Sequence, residues 1–194
     1  MRNRIDIMLD LETLGLDPNE SPLIQLSAVA FNITNGEVLA EFNEGVHHED
    51  SIIVDPSTLK WWLETNADLL SRLMHGNNHS EKRVLQLFAD FVSSFRNSDT
   101  DIYIWGNGII FDNAFIKQRC KYYGIEYPIS YRNDRDVRTY VDAYMNRLYS
   151  DLEYNRMKKN SQLSVPNFEE HNAIHDCLAQ INLVSYIYGK LEKQ

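Results

Sequence analysis

The chain has 194 residues, a formal net charge of −9 and 43% apolar residues, with eleven tyrosines and eight phenylalanines. This composition excludes a disordered chain, because disordered segments are poor in aromatic residues, and it predicts one substantial hydrophobic core. The acidic balance argues against a protein that coats nucleic acid by charge alone. Carboxylates that hold cations are nevertheless counted as bare charges in such a sum.

Three expectations concern location and organisation. The N-terminal stretch has no long apolar run and carries Asp6 and Asp10, so we expect no signal peptide, and no run approaches the roughly 18 apolar residues of a membrane span. Cys120 and Cys177 stand far apart, in neither a disulfide framework nor a zinc motif, and are expected to be buried or inert thiols. We expect one domain over 1–194 in the cytoplasm of a bacterium, or of a host cell if a phage encodes it.

The first 44 residues of the chain predict strands. Residues 5–12 alternate in polarity, and a second apolar segment, Leu23 to Ile33, precedes the hairpin signal Asn35-Gly36 and a third strand from about Glu37 to Glu44. These segments predict an antiparallel meander. The two faces of the first strand hold Ile5, Ile7, Leu9 and Leu11 on one side and Asp6, Met8, Asp10 and Glu12 on the other.

Helical spacing dominates the chain after residue 55. Predicted helices begin at Asp55-Pro56-Ser57 and at Ser80, and a short strand, Asp101 to Trp105, follows them. The segment from Ser150 to Glu170 has little period, so we predict a polar, poorly ordered loop insertion at about 150–170. The later predicted helices are Phe111 to Tyr123, Val137 to Tyr149 and about Asn172 to Leu191. This order is typical of an α/β domain with a mixed sheet.

Asp10 and Glu12 lie two apart at the end of the first strand, so both side chains point to one side, about 7 Å apart by the rise per residue. Such like charges repel unless a cation or proton lies between them, which favours a metal clamp. Oxygen donors without a nearby cysteine favour Mg²⁺ or Mn²⁺ over zinc. The alternative is a solvated strand end, with Glu12 capping a turn.

Three later residues are candidates for the same site. Asp112 follows a glycine-rich turn and falls in a first helical turn, where the dipole tolerates an anion and where Asp10 is close by if strand and helix meet. An ordinary N-terminal helix charge is the alternative. Asp176 borders the apolar stripe of the last helix, where an unpaired carboxylate is costly. His171 precedes that helix and can turn toward the same cleft.

In order and spacing, these residues resemble the three motifs of the DEDDh group of DnaQ-like exonucleases in the ribonuclease H-like superfamily. The motifs here are Asp10-Leu11-Glu12-Thr13, then Asp112, then His171 with Asp176. Leu23–Val29 also looks like the second strand of that fold. Three further segments look most like those of the short bacterial and phage branch related to 3′–5′ exoribonucleases, namely Leu59–Trp62, Trp105–Asn113 and Asp136–Thr139. The departures are Gln25, where many relatives carry Glu, and the long polar segment before His171.

The resemblance implies a ribonuclease H-like fold with a central mixed five-stranded sheet flanked by helices. It also implies two divalent cations about 4 Å apart. Asp10, Glu12 and Asp176 would hold the cation that activates a water, while Asp10 and, through water, Asp112 would hold the one that stabilises the departing 3′ oxygen. His171 would be the general base, because its ordinary pKa suits neutral pH. The expected product is a nucleoside 5′-monophosphate, and relatives are often homodimers.

Substrate contacts are expected around this metal set. The resemblance places Thr13 near the 3′-OH and Leu14 against the last base. Trp61 and its neighbour Trp62 diverge by about 100° on a helix, so one is expected to stack on a base, and we assign Trp61. Asn107 and Arg138 are candidate contacts to phosphates. Each has a structural alternative: a turn residue, a core aromatic, or an arginine paired with Asp136.

The expected substrate is single-stranded or 3′-overhang RNA or DNA, with RNA favoured, and no membrane is expected as a partner. Two alternatives are a DNA-specific 3′–5′ exonuclease and a ribonuclease H-like module that binds nucleic acid without cutting it. Such modules usually lose carboxylates, whereas all four are present here. His171 and His175 have the spacing of a zinc pair, but Asn172 stands where a zinc hydrolase has its glutamate base.

Overall fold

The computed structural model describes residues 3–48, 52–76, 78–145 and 151–192, and over these residues it forms a mixed α/β structure with a six-stranded sheet. The strands are β1 (Asn3–Thr13), β2 (Leu23–Asn32), β3 (Glu37–His47), β4 (His79–Ser80), β5 (Thr100–Gly106) and β6 (Asp134–Asp136). Their spatial order is β4-β3-β2-β1-β5-β6. The strand β1 therefore lies inside the sheet, with β2 on one side and β5 on the other.

The predicted antiparallel meander of β1, β2 and β3 is confirmed, and β5 and β6 continue the sheet parallel to β1. The prediction of five strands is wrong, because the sheet has six. The short strands β4 and β6 have two and three residues. The strand β6 has the sequence Asp-Arg-Asp and pairs with β5 through its backbone, so it lacks the alternation of apolar residues that would predict a strand. The third strand also extends beyond Glu44 to His47.

Helices cover both faces of the sheet. They are α1 (Pro56–Thr65), α2 (Ala67–His75), α3 (Glu81–Ser94), α4 (Ile109–Tyr123), α5 (Val137–Tyr144), α6 (Asp151–Leu163) and α7 (Ala173–Leu191). Residues of α3 and α4 pack with Ile7 and Leu9 of β1 in one core. Residues of α5 and α7 pack with Met8 of β1 in a second core on the opposite face. The alternation of β1 thus separates two cores, both of them largely apolar.

Two helices differ from the sequence-based expectation. The helix α2 was not predicted, and α5 ends at Tyr144 rather than at Tyr149, although residues 146–150 lie outside the described part of the chain. Among the described residues, no helix is both long enough and apolar enough to cross a membrane. Both cysteines are buried, as predicted.

The prediction of a poorly ordered loop at about 150–170 is wrong, because most of this segment forms α6. This helix packs along α7 and presents Tyr154 and Met157 to the second core. One turn later, the buried position belongs to Ser161, whose hydroxyl donates to the carbonyl of Lys158 at 2.7 Å. The inward stripe of α6 is therefore short and partly polar, which is why the sequence shows little periodicity.

The connection from β1 to β2 is fixed by both neighbouring layers. The indole N–H of buried Trp62 in α1 donates to the carbonyl of Thr13 at 3.0 Å. From α4, Arg119 donates to the carbonyl of Ser21 at 2.8 Å and forms an ion pair with buried Glu81 of α3. A buried ion pair and a buried indole hold this connection in place beside the end of β1.

Candidate active site

Asp10 and Glu12 project from the end of β1 on the face covered by α7. At this point the register with β2 shifts between Glu12 and Thr13, which ends the regular strand. Burial raises the pKa of Asp10 well above its usual range, and the carboxylates of Asp112 and Asp176 raise it further. Burial likewise raises the pKa of Glu12, with Asp10 as the next cause. The predicted pair of like charges therefore lies within a larger carboxylate cluster.

Asp112 comes from the first turn of α4, directly after the turn that ends β5. Burial raises its pKa to about 7, although the backbone N–H groups of Asp112 and Leu11 and the charge of Arg138 oppose the rise. A side chain at Gly106 would place its Cβ 3.0 Å from an Oδ atom of Asp112 and 2.9 Å from Ile109. Glycine at position 106 therefore leaves the space that the carboxylate occupies.

Asp136 caps two helices at once. One carboxylate oxygen accepts from the backbone N–H groups of Gly108 and Ile109, at 2.9 and 3.1 Å, where α4 begins. The other accepts from the backbone N–H of Thr139 at 2.9 Å and from its hydroxyl at 3.0 Å, in the first turn of α5. Burial alone would raise the pKa of Asp136, but these hydrogen bonds outweigh it and leave the pKa lowered. Asp136 thus fixes the start of the helix that carries Asp112.

His171 and Asp176 come from the start of α7. His171 has a left-handed backbone with φ of 65°, and its N–H donates to Oδ2 of Asp176 at 3.0 Å. One ligand atom each from Glu12, His171 and Asp176 lies within 4.8 Å of the others. Burial raises the pKa of Asp176 to about 6 and lowers the pKa of His171. At neutral pH the imidazole is therefore neutral and able to accept a proton.

The two adjacent tryptophans of α1 face different surroundings, as the helical geometry predicted. Trp62 is fully buried, whereas Trp61 is 40% exposed. The ring of Trp61 meets the imidazole of His171 edge to face, with centroids 4.6 Å apart. Trp61 therefore borders the site and limits the positions that the His171 ring can take.

Two glutamines support the site, Gln180 through a carboxylate and Gln25 through the backbone at the start of α7, and the sequence did not lead us to Gln180. From α7, the amide of Gln180 donates to Asp10 at 3.1 Å. It stands one turn after Asp176 on the same helix, which is the signal that could have identified it. From β2, Gln25 accepts from the backbone N–H of Ala173 at 3.2 Å and donates to Asn43 at 2.8 Å. Gln25 thus satisfies a backbone donor at the start of α7, a role that the amide fills without charge.

A cleft of about 230 Å³ opens over these residues, and α6 forms one of its walls. The sequence-based reasoning missed this wall, because it treated the segment as a loop. Asn107 also lies at the cleft, and its Oδ1 accepts from Nε of Arg138 at 3.2 Å. The polar and charged residues that line the cleft are Asp10, Glu12, Asn107, Tyr154, Lys158, Ser161, Gln162, Glu170, His171, Asp176 and Gln180.

A second, more apolar groove of about 370 Å³ lies on the other side of Glu12. Its lining includes Thr13, Leu16, Trp61 and Phe111, and Leu16 is 73% exposed. Leu14, expected against the last base, is 2% exposed and packs with Trp62 in the core instead. The chain turns between residues 14 and 16, so Leu16 rather than Leu14 faces this groove. The hydroxyl of Thr13 donates to the carbonyl of Gly15 at 2.7 Å within the same turn.

The zinc-pair alternative finds no support in the geometry. Nδ1 of His175 accepts a hydrogen bond from the backbone N–H of Glu169 at 3.0 Å, and its ring lies beside Phe168. Among the described residues that line the cleft, His171 is the histidine. The two histidines therefore lie in different surroundings and do not face one common site, although they are four residues apart.

The donor set fits hard divalent cations. Asp10, Glu12, Asp112 and Asp176 supply carboxylate oxygens, and each has a raised pKa because burial and neighbouring carboxylates disfavour its charged form. Only protons or cations relieve such crowding, and oxygen-rich sites without thiolates suit Mg²⁺ or Mn²⁺.

Comparison with known proteins places this geometry in a family. The model of the 3′-5′ exoribonuclease Rv2179c-like domain matches residues 5–188, which agrees with the resemblance found in the motifs. No curated protein sequence matches the chain significantly.

Solved structures of nucleases share the fold. The chain resembles cell-death related nuclease 4 (CRN-4), with a TM-score of 0.67 and 14% identity over 97% of this chain and 65% of that one. It resembles the zinc-bound E. coli ExoI–ssDNA complex, with a TM-score of 0.74 and 13% identity over 99% of this chain and 42% of that one. A 3′-exonuclease that recognises the histone mRNA stem-loop gives a TM-score of 0.66 and 12% identity, over 96% of this chain and 64% of that one. The chain thus spans between 42% and 65% of the length of these structures.

The raised carboxylate pKa values predict an unusual pH dependence of stability. Folded Asp112 and Asp176 have pKa values of about 7 and about 6, above the ordinary 3.8. The stability that the folded protein gains by holding these protons is therefore fully present below about pH 4 and is lost as the pH rises through 6 to 7. In EDTA, we expect the melting temperature to fall between about pH 5.5 and about pH 8. We expect Mn²⁺ to raise it more at the higher pH, since protons then compete less. Equal stabilisation by Mn²⁺ at both pH values, measured by calorimetry, would contradict this account.

The double cap at Asp136 predicts a specific sensitivity to amidation. Asp136→Asn keeps one acceptor oxygen but replaces the other with an NH₂ group, which cannot accept from the N–H donors that face it. We therefore expect a loss of about 1–2 kcal/mol in the free energy of unfolding. Asp55→Asn is the matched control, because Asp55 caps α1 through Oδ1 alone and asparagine retains that oxygen. Urea denaturation of both variants measures the difference. Equal losses would mean that the second oxygen of Asp136 contributes nothing.

Proposed function

The chain belongs to the 3′-5′ exoribonuclease Rv2179c-like domain family, and on this basis we propose that it hydrolyses nucleic acid from the 3′ end to nucleoside 5′-monophosphates. The observation that carries the proposal is the meeting of Glu12, His171 and Asp176, whose ligand atoms lie within 4.8 Å of one another beside Asp10. A proton acceptor and a cation-binding set therefore occupy one cleft, which is the requirement of metal-assisted phosphodiester hydrolysis.

Asp10, Glu12, Asp112 and Asp176 are proposed to hold two divalent cations, Mg²⁺ or Mn²⁺. When bound, such cations lower the pKa of water and offset negative charge on the phosphate and the leaving oxygen. Gln180 keeps the carboxylate of Asp10 oriented, and the N–H of His171 does the same for Asp176. The protein's own contribution is therefore a set of carboxylate oxygens, two of whose side chains are held by hydrogen bonds.

His171 is proposed to accept the proton of the attacking water. Burial lowers its pKa, so the imidazole is free of a proton at neutral pH. The edge-to-face contact with Trp61 and the bonded backbone N–H restrict where the ring can lie. A general base gains rate only when it is held in this way, within reach of the proton that it removes.

The apolar groove beside Glu12 is proposed to hold the terminal nucleoside. Leu16, Trp61 and Phe111 offer exposed apolar surface there, which suits a stacked base without selecting its identity. Thr13 lines the same groove and remains a candidate contact to the 3′-OH. Asn107 and exposed Arg138, which contact each other, are candidate contacts to a phosphate of the strand.

RNA is proposed as the favoured substrate over single-stranded DNA. The description of the matched family as an exoribonuclease domain supports this preference. A DNA-specific 3′–5′ exonuclease and a binding module without catalysis are the alternatives that the assay below separates. A homodimer also remains a proposal, which light scattering of the purified protein tests.

The proposed function predicts metal-dependent release of mononucleotides. With 5′-labelled single-stranded RNA and DNA of one sequence, we expect shortening from the 3′ end with Mg²⁺ or Mn²⁺, faster on RNA, and none with EDTA. Asp10→Ala and Asp176→Asn should abolish hydrolysis, because each removes an oxygen ligand, while circular dichroism stays unchanged. Full activity of either variant, or activity of the wild type in EDTA, would contradict the assignment. Retained binding without hydrolysis by the wild type would favour the non-catalytic module.

The base role of His171 predicts a split between kinetic constants. His171→Ala removes the proton acceptor but no phosphate contact, so kcat should fall by about 10²-fold or more while KM changes little. His175→Ala is the matched control, because His175 lies outside the cleft and should leave both constants near those of the wild type. A variant His171→Ala that loses affinity rather than turnover would exclude the base role.

A further inference from the structure

The helix α6 brings a single ammonium group to the carboxylate cleft. Of the described residues that line this cleft, Lys158 is the one that carries a permanent positive charge, whereas Asp10, Glu12 and Asp176 are carboxylates. Gln162 stands four residues later, so its amide follows Lys158 on the same face of α6 and also lines the cleft. The part of the cleft lining that α6 provides therefore offers donors, whereas the carboxylates offer acceptors.

In the structure, Lys158 is paired with Glu170, the residue before His171. Nζ of Lys158 lies 3.8 Å from the carboxylate, and the two side chains are 44% and 58% exposed. Ion pairs of such exposure contribute about 0–1 kcal/mol, because water screens them. The ammonium can therefore leave Glu170 for a stronger anion at little cost.

Lys158 lines the same cleft as His171 and Asp176, so its ammonium borders the space that a reacting phosphate would enter. An oligonucleotide that enters this cleft brings phosphates toward several carboxylates, and like charges repel. A cation that lines the same cleft offsets that repulsion in every substrate, whatever its base sequence.

We infer that Lys158 is a phosphate-binding residue: its ammonium exchanges Glu170 for the phosphate of the 3′-terminal linkage and holds it against the carboxylate wall, with Gln162 as a neighbouring amide donor. This inference rests on the proposed function. It identifies α6, a segment of little sequence periodicity, as a part of the chain that binds the sugar-phosphate backbone. The ligand class is a phosphodiester, or the 5′-monophosphate that remains after hydrolysis.

Lys158→Met and Lys159→Met form a matched pair for the test. Both remove one positive charge from adjacent positions of α6, but Lys159 is exposed and lies outside the cleft. For Lys158→Met we expect KM for a short RNA to rise about tenfold, with kcat changed less. The slope of log(kcat/KM) against log salt should become shallower by about 0.7, the value for one phosphate contact on a single strand. Lys159→Met should stay within about twofold of the wild type in KM, and Lys158→Arg should restore most of the affinity.

Three results would overturn the inference. One is a Lys158→Met variant that matches Lys159→Met in KM and salt slope. Another is a loss of activity with an unchanged slope, which indicates a structural role for the side chain. The third is an equal affinity of both variants for adenosine 5′-monophosphate with Mn²⁺, measured by calorimetry. We expect Lys158→Met to bind this nucleotide about tenfold more weakly than Lys159→Met. This binding measurement stands even if the wild type hydrolyses no nucleic acid, a result that would overturn the proposed function alone.

Discussion

Four carboxylates lie together at the end of β1 and repel one another, and the surrounding structure has to hold them in place against this repulsion. Asp10 and Glu12 come from the sheet, Asp112 from α4 and Asp176 from α7, and burial disfavours the charge of every one. A polypeptide gains no stability from such an arrangement by itself. The cluster persists because the elements that carry it are anchored elsewhere, in two apolar cores on opposite faces of the sheet.

The anchoring is achieved mainly by uncharged or already satisfied groups. Asp136 satisfies backbone donors of two helices with its two oxygens, and Gln25 satisfies one at the start of α7. The partners of both side chains include backbone N–H groups, which cannot lose their protons. The orientation of the carboxylates therefore depends on hydrogen bonds that join elements distant in sequence, while the cost of their charge is left for cations to offset.

The sequence predicted what depends on regular periodicity. The meander, the placement of Asp10 and Glu12 on one face and the divergence of Trp61 and Trp62 all follow from strand and helix geometry. Features that depend on tertiary contacts could not be predicted in this way. The strand β6 is charged throughout and pairs with β5 through its backbone, and α6 buries a serine where a periodic pattern requires an apolar residue. The direction of the turn after Thr13, which buries one leucine and exposes the next, is likewise set by packing against Trp62.

The helix α7 carries the site and the core on adjoining faces. Asp176 and Gln180 point to the cleft, whereas Cys177 and Ile181, one position later in each case, are buried against the sheet. Substitution at any of these positions alters one face and leaves the other in place. Insertion of one residue before Asp176 would instead rotate the following turns by about 100°, moving the carboxylate and the core side chains together. The length of the segment between His171 and Asp176 is therefore under stricter constraint than the identity of most residues within it.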